Sequence, residues 1–419
     1  MNIVMFSNTY LPAVGGIENS IDIFSKAMRE LGHSVLVVAP EYDDARESTD
    51  DILRVPAMRH FGGSAFSISL SLPDHLSERI EAFNPDIVHS HQPFLLGDSA
   101  LRLARVNAWP IVYTNHTFME RYLHWLPVDW SILSSIAESL PVAYSNLVDH
   151  VITPTQSVAD VLKTRGVTTA LSAIPTGIDA NFYASGARSH WRDRYNLDES
   201  QFVLGHLGRL NPEKNLDYLA EAALNFVQLE PQFRRFMLAG EGDSVETIQQ
   251  LFSAAGLAEN LLHIGLVQGR DCADAYAAMD AFIFTSLTDT QGLVLSEAMA
   301  AGNPVFALDA PGARDMITHR SDGLVLPQQC SAREFAESMD AAVRDKDKFA
   351  QLQANARESA KLVSIPACTE KMLALYEQVI NDNEVERAAL SSWDKLKNRW
   401  EVEKELAQQT IACLTGNTA

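Results

Sequence analysis

The chain has 419 residues, with 33 Lys and Arg against 54 Asp and Glu, a formal charge of −21; 47% of residues are hydrophobic and 21% charged. That balance excludes a wholly disordered chain. The acidic excess argues against sequence-independent binding to nucleic acid and against simple electrostatic adhesion to an anionic membrane.

At roughly 150 residues per domain the length predicts two or three domains. The four cysteines, Cys272, Cys330, Cys368 and Cys413, form no C-x-x-C pair, which fits a reducing compartment. The chain enters an apolar strand at Ile3 without a signal-type segment, and no run of about 18 apolar residues follows. A soluble, cytoplasmic protein is expected.

In chain order, Ile3-Val4-Met5-Phe6, Ser34 to Val38, Asp86 to His89, Pro110 to Tyr113 and His150 to Thr153 read as strands. Each is short and nearly continuously apolar, as parallel strands buried on both faces are. Between the first two, Ile17, Ile21, Phe24, Met28 and Leu31 line one face of a helix from about Glu18 to Glu30, with Gly32 as its C′ residue. The rhythm restarts after Ala180: Phe202 to Leu207, Phe236 to Ala239, Leu262 to Ile264, Ala281 to Phe284 and Pro304 to Ala307. Repeated βα units predict an α/β protein of two Rossmann-like domains. The expected bounds are 1–185 and 186–370, followed by helices over 371–419 that return toward the first domain. Asp179 to Ser200 reads as the linker. From Ser331 the pattern is helical, broken near Ser364-Ile365-Pro366. The final helix, about Glu384 to Ala412, carries Trp393, Leu396 and Trp400 on one face.

Common catalytic signatures are missing. No G-x-G-x-x-G follows the first strand, and there is no Walker A run, H-E-x-x-H or G-x-S-x-G. Three other segments suit an anionic ligand. Tyr10 to Glu18 is a Pro/Gly loop opening a helix, where Gly15 and Gly16 permit close backbone approach; an unliganded βα turn would read the same way. Gly208-Arg209-Leu210-Asn211-Pro212-Glu213-Lys214-Asn215 places two cations before a helix, suited to a diphosphate or simply to pairing with Glu213 or Asp217. Thr288 to Met299 sets Asp289 and Glu297 eight residues apart around Gly292. Glu297 could accept from two vicinal sugar hydroxyls or merely complement a helix dipole.

Together these segments resemble the retaining glycosyltransferases of family four, which have the GT-B fold of two facing Rossmann-like domains. The matching stretches are Gly15-Gly16, Tyr113 to Thr117, Ile174 to Asp179, Gly208-Arg209 with Lys214-Asn215, Ala239 to Gly242, and Thr290 to Glu297. The resemblance implies a nucleotide diphosphate sugar as co-substrate in an interdomain cleft, with no metal or other cofactor required. It implies that Arg209 and Lys214 hold the diphosphate with help from the Gly16 N–H, that Gly292 and Leu293 offer N–H groups to phosphate, and that Glu297 holds the ribose. Leu266 and Val267 would line the base pocket. Asp289 stands where the family's E-x₇-E motif has its first carboxylate, on donor-sugar hydroxyls, and is one methylene shorter. His116 would lie by the reacting sugar, contacting a donor hydroxyl or stabilising an oxocarbenium-like state. As a plain reading it is a histidine packed at a strand end.

Within the family, His91 to Gly97, Tyr113 to Thr117 and Glu120 to Pro127 resemble the diacylglycerol glucosyltransferases. That likeness implies UDP-glucose as donor and a lipid hydroxyl as acceptor, with Glu120, His124 and Trp125 as acceptor contacts and peripheral membrane association at the inner face. Leu123, Trp125, Leu126 and Trp130, and the C-terminal Trp393 and Trp400, suit a bilayer interface or ordinary packing. Residues 1–185 carry a net charge of −9, which does not suit an anionic surface. A soluble sugar or small-molecule acceptor, and a non-catalytic nucleotide-sugar-binding protein, are the competing readings.

Overall fold

The computed structural model describes residues 1–13, 15–45, 47–58, 68–69, 73–120, 130–383 and 391–415. His124, Trp125, Leu123 and Leu126 lie outside them, as does the side chain of Trp130. The chain divides into two compact units, Met1–Gly177 with Cys368–Ala419, and Ile178–Ala367.

The first unit is built on a seven-stranded sheet. In chain order its strands are β1 (Asn2–Phe6), β2 (Ser34–Pro40), β3 (Ile52–Val55), β6 (Ile87–Ser90), β7 (Ile111–Thr114), β8 (His150–Thr153) and β9 (Leu171–Ala173), and a small antiparallel pair, β4 (Ala57–Met58) and β5 (Ile68–Ser69), intervenes. The order is β3-β2-β1-β6-β7-β8-β9, parallel throughout. Sequence order reverses between β1 and β6, so the carboxyl ends of these two strands mark the switch point where doubly wound sheets bind ligands. Val4, Phe6, Leu36, Val38, Val88 and Ile111 enter one hydrophobic core, which Val402 and Leu406 of the C-terminal helix complete. Strand periodicity puts His89 on the opposite face from Val88.

The second unit has six parallel strands: β10 (Phe202–Leu207), β11 (Arg234–Ala239), β12 (Leu261–Gly265), β13 (Ala281–Phe284), β14 (Val305–Leu308) and β15 (Gly323–Leu326), ordered β12-β11-β10-β13-β14-β15. Its switch point lies between β10 and β13. Val203, Met237 and Phe282 enter one core, whereas Leu204, Phe236, Leu238 and Ile283 enter another. The sheet is therefore covered on both faces, which is why its strands read as unbroken apolar runs.

The expected strands are all present. The sequence reading passed over β3, β9 and β15, short strands along the sheet edges. The helix Gly16–Glu30 starts two residues earlier than expected. It ends in a Schellman motif, with Gly32 at φ +87°, its N–H on Arg29 O (2.9 Å) and the His33 N–H on Met28 O (3.1 Å). Leu31, assigned to the apolar face, is instead 61% exposed, because it is the C-cap, beyond the helical face.

Asp179 to Ser200 is not a linker. It forms the helices Ala180–Ala184 and Arg188–Arg194, and Trp191 is buried in a core of the second unit. Ile178 is held by backbone bonds to Val363 and from Ile365, both 3.0 Å. The chain therefore enters the second unit at Ile178 rather than 186, and leaves it after Ala367 rather than 370. The break at Ser364 to Pro366 separates the helices Lys346–Lys361 and Ile365–Asp382, with Pro366 in the first turn, where its missing N–H costs nothing. The last helix spans Ser392–Thr415.

Candidate active site

In the second unit the loops after β10 and β13 are tied together. Asn215 Nδ2 donates to Thr285 O and Thr285 Oγ1 to Asn215 O, each at 3.1 Å; Thr288 Oγ1 donates to Glu213 O at 3.2 Å. Lys214 Nζ donates to Asp289 Oδ1 at 2.7 Å, a partly buried ion pair of two expected site residues. Asp289 Oδ2 is buried with no hydrogen-bond partner among the described residues. A buried carboxylate oxygen without a donor costs about 1–3 kcal/mol, so this atom is poised to accept a hydroxyl. Arg209 is exposed on the same loop, without a described ion-pair partner.

Glycines let this region close-pack. A Cβ on Gly240 (φ +129°) would lie 1.9 Å from Gly208 O, and one on Gly242 (φ +155°) 2.3 Å from Leu210 O. The turn Ala239 to Gly242 thus lies bare backbone to backbone against the Gly208-Arg209-Leu210 turn, fixed by Leu210 N–H to Glu241 O at 2.9 Å. This explains why two separate glycine-bearing motifs belong to one site. Below them His206 is buried on β10, its Nδ1 2.9 Å from Ile283 O, and burial lowers its pKa to about 4.

Gly292 caps the helix Leu293–Ala301 in the left-handed region (φ +70°). The Leu295 N–H donates to Gly292 O at 2.9 Å; the N–H groups ahead of it, at the start of that first turn, are an anion-binding feature. One turn on, Glu297 Oε1 accepts from the Tyr183 hydroxyl at 2.9 Å and Oε2 from the Tyr276 hydroxyl at 2.7 Å. Burial raises the Glu297 pKa, while these two phenols act to lower it. Tyr183 and Tyr276 were missed by sequence reasoning, since they stand on helices remote in sequence with no local pattern to join them. Each Glu297 oxygen keeps a second lone pair for a ligand hydroxyl. Leu266, after β12, is 67% exposed, and Val267 packs partly against a core.

In the first unit the carboxyl ends of β6 and β7 gather three histidines. His91 Nδ1 is 2.9 Å from His116 Nε2, and the rings stack at 5.2 Å. His89 Nδ1 meets the Tyr376 hydroxyl and its Nε2 meets Thr114 Oγ1, both at 2.6 Å. With Ser20, Thr176 and Met372 they line a cavity of about 10 Å³. Burial lowers the pKa of His89 and of His116 to about 3, and that of His91 well below its ordinary value. The trio is neutral at pH 7, so one proton lies between His91 and His116. His89 and His91 were read only as strand and motif residues, because nothing in the sequence shows that His116 folds against them.

Gly16 opens the helix Gly16–Glu30, and a Cβ there would meet nothing within 4 Å, so its backbone is accessible. Glu18 accepts from Thr9 Oγ1 and so closes the loop before the helix. Glu120 is paired with Arg165 at 2.7 Å, and Arg165 stacks over Phe118 at 5.1 Å. That carboxylate therefore has a structural partner that the sequence did not suggest.

Among the described residues, His190, Asp271 and Asp274 bring potential metal-ligand atoms within 4.8 Å of one another. Arg270 already pairs with Asp274 at 3.0 Å, and the two His190 nitrogens face different carboxylates, at 3.8 and 3.9 Å, an arrangement of ion pairs rather than of converging ligands. All four cysteines are free, and no helix among the described residues is long and apolar enough to cross a membrane.

Residues 14–182 match the family model for Glycosyltransferase Family 4, and residues 187–359 that for Glycosyl transferases group 1. The chain is 27% identical over 336 residues to the alpha-monoglucosyldiacylglycerol synthase of Streptococcus pneumoniae, covering 77% of this chain and 74% of that one. It is also 27% identical over 386 residues to the GDP-mannose-dependent alpha-mannosyltransferase of Mycobacterium tuberculosis, covering 90% and 97%. The fold matches the crystal structure of Anabaena HepE in complex with UDP, with a TM-score of 0.69 at 21% identity over 90% of this chain and 100% of that one. The chain belongs to glycosyltransferase family 4: it has the GT-B fold and is a hexosyltransferase acting on nucleotide sugars.

Proposed function

We propose that the protein transfers a hexose, with glucose from UDP-glucose as the leading choice, to a lipid hydroxyl such as that of diacylglycerol, with retention of anomeric configuration and without a metal. The observation that carries the donor side is the Lys214–Asp289 pair with its unsatisfied Asp289 Oδ2. Lys214 and the exposed Arg209 offer positive charge to a diphosphate, and Asp289 offers an acceptor to a sugar hydroxyl. Glu297, oriented by two phenols, would accept from the ribose.

Breaking the bond to the nucleoside diphosphate leaves charge on phosphate. Arg209, Lys214 and the Gly292 and Leu293 N–H groups would stabilise it through prearranged electrostatics. The leaving phosphate would take the acceptor proton on the same face. His116, kept neutral by burial, donates or accepts a hydrogen bond without adding charge beside an oxocarbenium-like sugar. The lipid acceptor is supported by the likeness to the monoglucosyldiacylglycerol synthase. The likeness to the GDP-mannose-dependent enzyme keeps mannose as the alternative donor sugar.

One assay tests this. Purified protein is incubated with UDP-, GDP- and ADP-sugars and a detergent-solubilised lipid extract, and the lipid and aqueous phases are analysed by mass spectrometry. A hexose increment in lipid from UDP-glucose is expected, and EDTA should leave it intact. Arg209→Ala should lower kcat/KM at least tenfold, the equivalent of a charge-assisted contact worth about 1.5–3 kcal/mol. An increment confined to the aqueous phase would refute the lipid acceptor, one from GDP-mannose alone would refute the donor, and reversible loss with EDTA would refute the metal-free account.

A further inference from the structure

The last helix, Ser392–Thr415, buries Val402, Leu406, Gln409 and Cys413 in the first unit. At about 100° per residue, Trp393, Leu396 and Trp400 fall on the opposite side, within an arc of about 60°. They are 73%, 58% and 70% exposed, three large apolar side chains in one stripe. Lys397 and Lys404 fall within about 40° of Trp393, and both are exposed, as is Arg399.

The acidic neighbours are mostly engaged. Asp394 accepts from the Ser391 N–H (2.9 Å) and hydroxyl (2.6 Å) at the helix start. Glu403 is held by Arg102 through two bonds of 2.7 and 3.2 Å. Glu401 faces Lys397 only loosely, at 3.8 Å between exposed side chains, a pair of little worth. The helix as a whole balances four cations, Lys395, Lys397, Arg399 and Lys404, against four carboxylates, Asp394, Glu401, Glu403 and Glu405; Asp394 and Glu405 fall about 100° or more from Trp393, so positive charge beside the stripe comes from Lys397 and Lys404.

We propose that this stripe is a docking surface for an anionic bilayer, with the helix lying in the plane of the interface. Tryptophan is favoured at headgroup depth, and flanking cations are drawn to an anionic surface. A second copy of the chain fits less well. A twofold contact through this stripe would set Lys397 and Lys404 against themselves. The inference deepens the lipid-acceptor reading: such a helix brings the first unit to its substrate.

Flotation of the full chain with vesicles tests it. The protein should float with phosphatidylcholine vesicles containing about 30% phosphatidylglycerol, less with phosphatidylcholine alone, and less as salt rises. Trp393→Ser with Trp400→Ser should weaken binding at least tenfold, with unchanged circular dichroism and unchanged turnover of detergent-solubilised acceptor. Lys397→Gln with Lys404→Gln should remove the preference for the anionic lipid. Failure of the parent chain to float, equal flotation of the Trp variant, or a concentration-dependent dimer abolished by the Trp substitutions without vesicle binding would each overturn the proposal. Flotation with no lipid product in detergent would support the docking surface and refute the lipid acceptor, so the two readings fail separately.

Discussion

His89, His116 and His206 are held neutral by burial, their pKa values lowered from 6.5 to about 3, 3 and 4. Unfolding frees each to bind a proton, so between these values and pH 6.5 the unfolded chain holds more protons than the folded one. Stability is then complete above pH 6.5 and is lost as pH falls toward 3 or 4. Between pH 6.5 and 5 each contributes a loss on the order of 2 kcal/mol. Urea midpoints measured at pH 7 and pH 5 should differ accordingly, and His89→Gln should reduce the difference. Equal midpoints would mean the histidines are protonated in the folded state.

At the scale of elements, the loops at strand ends depend on backbone approach. Gly97, in the first turn of the helix Leu96–Asn107, accepts the Tyr144 hydroxyl at 2.8 Å. A Cβ there would stand 1.9 Å from Gln92 O. Since the obstacle is backbone, the turn after β6 must shift, and that turn follows His91. Gly97→Ala should destabilise by about 1–3 kcal/mol, as overpacking does, and lower transferase activity beyond the loss of folded protein. Thermal denaturation and kcat on the soluble fraction would check both; full activity in that fraction would show that the turn does not position the histidines. Parallel strands were legible in the sequence because burial on both faces demands an unbroken apolar run. Of the edge strands of the two large sheets β12 was read, whereas β3, β9 and β15 were not: Arg54 interrupts the apolar run of β3, β9 is three residues long with Ser172 at its centre, and β15 opens on Gly323.

For the whole molecule, the first unit is discontinuous in sequence. Cys368–Ala419 belongs to it, supplying Tyr376 to His89 and Val402 and Leu406 to the core. A chain ending at Ala367 should therefore lose cooperative unfolding of the first unit while the second retains its own. Two transitions in the full chain and one in the truncated form would be expected by calorimetry. Two intact transitions after truncation would refute a structural role for the tail.

The sequence by itself determined the two α/β units and most of their strands, and it pointed to candidate donor-side residues, because each is marked locally: an apolar run, a glycine-bearing loop, cations ahead of a helix. Arg209, Lys214, Gly292 and Glu297 are legible as candidates for that reason. Only the tertiary structure decided which residues share a proton or a charge. The Lys214–Asp289 pair, the tyrosines on Glu297, Arg165 on Glu120 and the His91–His116 contact join residues 21 to 114 positions apart. No local periodicity records such contacts, since burial and packing alone bring the groups together.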